Sequence, residues 1–184
     1  MTGIASRGQL RMSYLRYALF TAPLILLLGT VSGRIANSGY GNPWFDALAK
    51  PAFMPEGWVF GVAWTLLYVL LGLSLAMLLH ARGARYRRTA IALFLAQLAA
   101  NYAWSPLFFA WHQPGPALAL IALMIAFGVA LVVLLWWIRR VAALLLLPYL
   151  AWLVFAAMLN FEIVARNPDA ETLVPGAAST DIPL

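Results

Sequence analysis

Gln97, Asn101, Trp104, Phe108 and Trp111 follow one another at steps of three and four residues. Each residue of an α-helix turns by about 100°, so these five side chains fall within about 40° either side of one line. Two further runs behave alike. Tyr149, Trp152, Ala156 and Asn160 share one helical face, and Phe60, Trp64 and Tyr68 stand at successive i,i+4 positions. Amides, indoles and phenols in such stripes supply no acid, base or strong nucleophile. They stack on flat rings and form hydrogen bonds, which suits recognition of a large, planar, mostly apolar molecule. Reactive groups are scarce elsewhere: the chain has no cysteine, two histidines and six acidic residues. The spacing yields no thiolate or other metal cluster, no paired carboxylates, no phosphate loop and no Ser-His-Asp set. His80 and His112 end successive spans on opposite sides, about 30 Å apart if each span crosses a bilayer, so they cannot share one haem iron.

The elements that must position these stripes are membrane helices. Of 184 residues, 64% are hydrophobic and 10% charged, with a mean hydropathy of +0.86. A crossing helix needs about 20 mostly apolar residues, and five segments qualify, at about 15–33, 58–80, 89–111, 116–138 and 141–163. The expected fold class is therefore an all-α integral membrane protein, a bundle of five transmembrane helices. Residues 1–14 form an N-terminal extension, 15–166 the membrane domain, and 167–184, with three prolines, a disordered tail. No A-x-A-like site follows the first span, which reads as a retained helix rather than a cleaved signal peptide. Nine arginines lie on the N-terminal side of the spans, whereas Arg34, Lys50 and Arg166 are the three basic residues on the other. The positive-inside rule then puts the N-terminus in the cytoplasm and the C-terminus outside. The net charge of +6 is thus a topology signal and not a nucleic-acid footprint. Helical spans favour a bacterial inner membrane, with an outer membrane also open.

Three spans, the second, third and fifth, carry indole, phenol and amide groups at matching depth, while the fourth is almost wholly aliphatic from Ala117 to Leu135. The three are expected to line a hollow, opened by kinks at Pro106 and Pro148, and the fourth to face lipid or pack. Between the first two spans, NPWFDALAKPAFMPEGW (42–58) is too apolar for a solvated loop and is expected to fold back as a lid. The i,i+4 spacing of Asp46 and Lys50 predicts one short helix ended by Pro51. Ala92, Ala96, Ala99 and Ala103 form a separate small-residue face on the third span, suited to a homodimer seam or to internal packing.

WFDALAKPAFMPEGWVFGVAWTLLY (44–68), NYAWSPLFF (101–109) and PYLAWLVFAAMLN (148–160) closely resemble the hallmark stretches of the tryptophan-rich sensory protein family, TspO/MBR. Its mitochondrial members are the translocator protein, or peripheral benzodiazepine receptor. The likeness runs in order from about Leu15 to Asn167. It implies a five-helix bundle, often dimeric, that binds porphyrins such as protoporphyrin, sterols and benzodiazepine-type drugs beneath the first extracellular loop. Family pocket positions fall on Trp44, Phe45, Trp64, Asn101, Trp104, Trp152 and Ala156; the stripes add Tyr68, Phe108, Tyr149 and Asn160. Many members have tyrosine at Phe45 and a second proline at Met54. The family's cholesterol motif wants a tyrosine where this chain has Phe161, between Leu159 and Arg166.

The resulting expectation is a receptor or carrier for porphyrin-like ligands in tetrapyrrole transport, regulation or stress sensing. Porphyrin is its ligand, no cofactor is obligatory, and the partners are membrane lipid and a second copy of the chain through the third span. The alternative implied by the resemblance is light-dependent porphyrin degradation using Trp64 and Trp152. A small-molecule transporter is a third option, although proton coupling usually needs an acidic group at mid-depth. Asp46 and Glu56 fall in the loop instead, and Glu162 sits near the end of the last span.

Overall fold

The computed structural model describes residues 7–173, and among them every long element is helical. Five helices are long and apolar enough to cross a membrane: α1 (Arg7–Ile35), α3 (Gly57–His80), α4 (Arg87–Ser105, continued by a π-helical turn, Pro106–Ala110), α5 (Pro114–Ile138) and α6 (Arg140–Arg166). A sixth, α2 (Pro43–Ala47), is a single short turn in the loop between α1 and α3. The spans match the sequence windows closely, except that α1 begins at Arg7, so residues 7–14 of the expected extension continue the first helix.

The helices form a ring in which α1 packs on α3, α3 on α6, α6 on α5, α5 on α4, and α4 returns to α1. Most of their outward surface is apolar and exposed, as lipid-facing surface must be. Close approach comes from small residues and not from large interdigitating ones. At the α1–α3 crossing a Cβ on Gly72 would overlap Ala22, and the exposed backbone lets Thr21 Oγ1 donate to Gly72 O at 2.7 Å. Ser74 Oγ donates to Ala142 O (2.9 Å) and Ser32 Oγ to Tyr102 O (2.6 Å), tying α3 to α6 and α1 to α4.

Pro106 alters its helix in a definite way. Proline has no N–H to donate, and the chain widens into a π turn in which Trp111 N–H reaches Pro106 O at 2.9 Å. Pro148 does not do the same: α6 runs through it without a break. Of the two prolines, Pro106 alone interrupts the α-helical hydrogen-bond pattern.

The loop end is held by a helix cap and by buried rings. Asn42 caps α2, its Oδ1 accepting from Phe45 N–H at 3.1 Å, and Pro43 occupies the first turn, where a missing N–H costs nothing. The expected Asp46–Lys50 pair does not form. Leu48 is already extended, so α2 stops short of Lys50; Asp46 accepts from Gly41 N–H instead, and the Lys50 ammonium donates to the Asp46 backbone carbonyl. Of the four aromatic side chains of this stretch, Trp44 and Phe45 are buried, while Phe53 and Trp58 stay exposed. The tail is also different from expectation over its first seven residues. Residues 167–173 turn back onto the loop, with Ala170 buried, and positions 174–184 lie outside the described residues, as do 1–6.

Candidate functional site

The stripes converge. A cavity of about 540 Å³ opens between α1, α3, α4 and α6 beneath the 36–56 loop. From α3 it receives Phe60, Trp64 and Tyr68; from α4 and its π turn Asn101, Trp104 and Phe108; from α6 Trp152, Ala156 and Asn160; and from the loop Tyr40, Phe45 and Met54. Among the described residues no Asp, Glu, Lys, Arg or His lines it. The rings are ordered by one another. Trp64 and Trp152 meet edge to face, 6.3 Å apart at 81°, with Phe60 against Trp152 at 5.8 Å and Tyr68 against Trp64 at 5.2 Å. On the facing wall Trp104 stacks on Phe108, 5.1 Å apart and 20° from parallel. Edge-to-face and offset stacking of this kind holds indole planes in place, so the walls are flat before any ligand arrives.

Behind the aromatic surface lies a chain of hydrogen bonds. Tyr68 Oη donates to Asn101 Oδ1 at 3.0 Å, and Asn101 Nδ2 and Gln97 Nε2 both donate to Tyr149 Oη, at 3.2 and 2.6 Å. This is how α3, α4 and α6 are kept in register at membrane depth, where an unpaired amide is costly. Among the described residues Gln97 Oε1 and Trp104 Nε1 remain buried without a partner.

The structure separates residues that the sequence placed together. Phe45, Trp64, Tyr68, Asn101, Trp104, Phe108, Trp152, Ala156 and Asn160 all reach the cavity. Tyr149 does not. It is fully buried one layer back and serves the amides, because a residue three positions from Trp152 turns toward α4 and not toward the hollow. Trp44 does not reach it either. Its indole stacks on His112 (4.5 Å, 11°) and donates to Ala170 O at 2.8 Å, so it fastens the loop to the turn after α6. Asn160 lines the cavity, but its amide is occupied: correctly oriented, Nδ2 donates to Pro114 O and Oδ1 accepts from Leu118 N–H, at 3.0 and 3.1 Å, which anchors the start of α5. Ala92, Ala96, Ala99 and Ala103 all lie exposed on the outside of α4.

Two contributors escaped the sequence reading. The first span supplies Leu26, Gly29, Thr30 and Gly33, and the fourth supplies Ile121 and Met124. The Gly29–Gly33 step was the available signal: a Cβ on Gly29 would overlap the Tyr68 ring, which lies flat only because that position is empty. At the rim, the Lys50 ammonium sits 4.6 Å over the Phe45 ring; partial burial draws its pKa below the usual lysine range, and Asp46 offsets this in part.

Comparison with known proteins agrees with this arrangement. A sequence model described as the TspO/MBR family matches residues 21–166. The chain is 40% identical over 126 residues to the tryptophan-rich protein TspO of Archaeoglobus fulgidus, covering 67% of this chain and 80% of that one. It is 36% identical over 148 residues to the translocator protein of Bos taurus, covering 78% and 86%. With the tryptophan-rich sensory protein of Cereibacter sphaeroides it shares 37% over 126 residues, covering 68% and 78%. Five membrane-length helices and a match over most of the chain make this protein a multi-pass membrane member of the TspO/MBR family.

Proposed function

We propose that the protein is a membrane receptor or carrier for porphyrins and related flat, apolar ligands, acting in tetrapyrrole transport, regulation or stress sensing. The observation that carries this is the uncharged cavity whose walls are the faces and edges of Trp64, Trp104 and Trp152. Its volume of about 540 Å³ suits a drug-sized or tetrapyrrole-sized molecule. Rigid rings already in position reduce the ordering cost of binding. Protoporphyrin titrated into the detergent-purified protein should quench intrinsic tryptophan fluorescence saturably. Trp152→Ala, which removes one wall, should weaken the affinity about tenfold or more. Unchanged affinity in that variant would move the site elsewhere.

A second reading rests on the Trp64–Trp152 contact of 6.3 Å. Indoles are oxidisable: one at the cavity wall can give an electron to a photoexcited porphyrin, leaving an indole radical cation and a porphyrin radical anion, and dissolved dioxygen is then the oxidant that consumes the macrocycle. Under this reading the double variant Trp64→Phe, Trp152→Phe abolishes light-dependent consumption of bound protoporphyrin. Consumption at the unmodified rate, measured by absorbance under constant illumination with occupancy matched, defeats it. Phe161 points outward and is 59% exposed, so a sterol at that position would meet a bare ring without a hydroxyl. The bare alanine face of α4 is the surface we assign to self-association, with the mass of the detergent-solubilised particle as its measure. The arginine-rich end is assigned to the cytoplasm of a bacterial inner membrane and the loop end to the outside.

A further inference from the structure

The cavity has two boundaries that could admit a ligand, the roof formed by the 36–56 loop and the seam between α1 and α3. They are built in opposite ways. The roof is fastened to the tail and to the π turn: Trp44 Nε1 to Ala170 O at 2.8 Å, Asn167 Nδ2 to Ala49 O at 2.9 Å with Ala49 N–H returning to Asn167 Oδ1 at 2.8 Å, and Asn42 Nδ2 to Phe109 O at 3.3 Å, while Tyr40 Oη to Pro55 O at 3.0 Å closes the loop on itself. Trp44, Phe45 and Leu48 are each under 5% exposed, so lifting the roof would strip their burial together with these bonds. The clasp from Asn167 and Ala170 lies just past the last residue matched to the family.

The seam is held by direct contact in its lower half. At Thr21, Ala22 and Gly72 the two helices touch, and at Gly29 the Tyr68 ring fills the gap. Nearer the loop the cavity lies between them. Thr30, Gly61 and Thr65 line the cavity and are exposed, with Gly33 half-buried beside them. A Cβ on Gly61 would have no atom within 4 Å. At this window Thr65 Oγ1 donates to Gly61 O at 2.8 Å, a bond that stays within α3 and does not tie it to α1. Gly61 and Thr65 lie about 6 and 12 Å inside the start of α3, at a rise of 1.5 Å per residue, so the window faces acyl chains and not water.

We propose that ligands pass between the cavity and the bilayer sideways, through the window framed by Thr30 and Gly33 on α1 and Gly61 and Thr65 on α3, while the loop above stays shut as a fixed roof. This rests on the cavity being the binding site. The passage selects molecules that have already dissolved in the leaflet on the loop side: planar, uncharged over most of their surface, and able to present an edge to a slot lined by glycine and threonine. A molecule confined to water would have to unfasten the roof.

The test uses the full chain in lipid nanodiscs, with protoporphyrin as probe and stopped-flow tryptophan quenching as readout. Gly61→Phe places a ring in open space at the window and should lower the association and dissociation rates together, each by about tenfold; a change in dissociation alone would mark the introduced ring as a ligand contact and not an obstruction, and would count against the passage. Independently, Ala49→Cys with Asn167→Cys, in a chain that has no other cysteine, allows the roof to be locked by oxidation. Locked and reduced forms should associate at the same rate. Slowing on oxidation, or an unchanged association rate in Gly61→Phe, overturns the side passage. If the unmodified protein binds no protoporphyrin at all, it is the cavity assignment that fails.

Discussion

Gly72→Ala should cost this protein about 3 kcal/mol of stability, while the same change at Gly61 should stabilise it slightly. The added methyl is identical and both positions are helical, so propensity alone predicts a gain of about 0.5–1 kcal/mol at each. The surroundings decide the sign. At Gly72 the new Cβ would stand 2.7 Å from the Ala22 Cβ and 2.8 Å from its backbone nitrogen, atoms that cannot rotate away. The helices α1 and α3 must separate, and doing so also stretches the Thr21 Oγ1–Gly72 O bond of 2.7 Å, worth about 1 kcal/mol net. Overpacking costs of about 1–3 kcal/mol in yielding cores become larger where the contact is backbone on backbone. At Gly61 nothing stands within 4 Å and the propensity gain survives. Thermal unfolding of both variants in one detergent, followed by far-UV circular dichroism, reads the difference. Equal midpoints would mean that the α1–α3 crossing is looser than the structure has it.

That crossing also shows where sequence reasoning stops. The five spans could be located from length and hydropathy alone, because lipid forbids unsatisfied backbone and leaves few alternatives to a helix. The polar stripe of α4 was legible for the same reason: amides at that depth need partners, so Gln97 and Asn101 had to face inward. What periodicity cannot do is divide one face between a neighbour helix and an empty space. Tyr149 and Trp152 are three residues apart on α6, and only the position of α4 decides that one meets Gln97 while the other meets the hollow. Trp44 sits on a five-residue helix, too short to have a face; its direction is set by Ala170, 126 residues away. The contribution of α1 was hidden because glycine announces itself by what it lacks. Gly29 reads as a neutral residue until the ring of Tyr68 is placed beside it.

Tyr149→Phe should be the most damaging loss of a single atom in the bundle, lowering stability by about 2–4 kcal/mol. The Tyr149 hydroxyl is the acceptor for both the Gln97 and the Asn101 amide nitrogens, and all three residues are at most 4% exposed. Without it two buried donors are stranded, at about 1–3 kcal/mol each, less whatever relaxation the site allows. Two companion changes locate the effect. Tyr68→Phe removes a donor from Asn101 Oδ1 and strands one acceptor, so it should cost about half as much. Gln97→Met gives up one bond to Tyr149 but also removes the Gln97 Oε1 that already lacks a partner, and replaces the amide with a thioether of similar length; it should be nearly neutral, within about 1 kcal/mol. The order Tyr149→Phe, Tyr68→Phe, Gln97→Met from most to least harmful follows from counting which groups are left unpaired, and not from the size of what is removed. The network also holds the Asn101 amide against the cavity wall, so Tyr149→Phe should weaken protoporphyrin binding although its own side chain never reaches the cavity. Thermal midpoints and quenching titrations on the three variants test both statements. A Gln97→Met protein less stable than Tyr149→Phe would show that the glutamine, and not the tyrosine, is the centre on which α4 and α6 are joined.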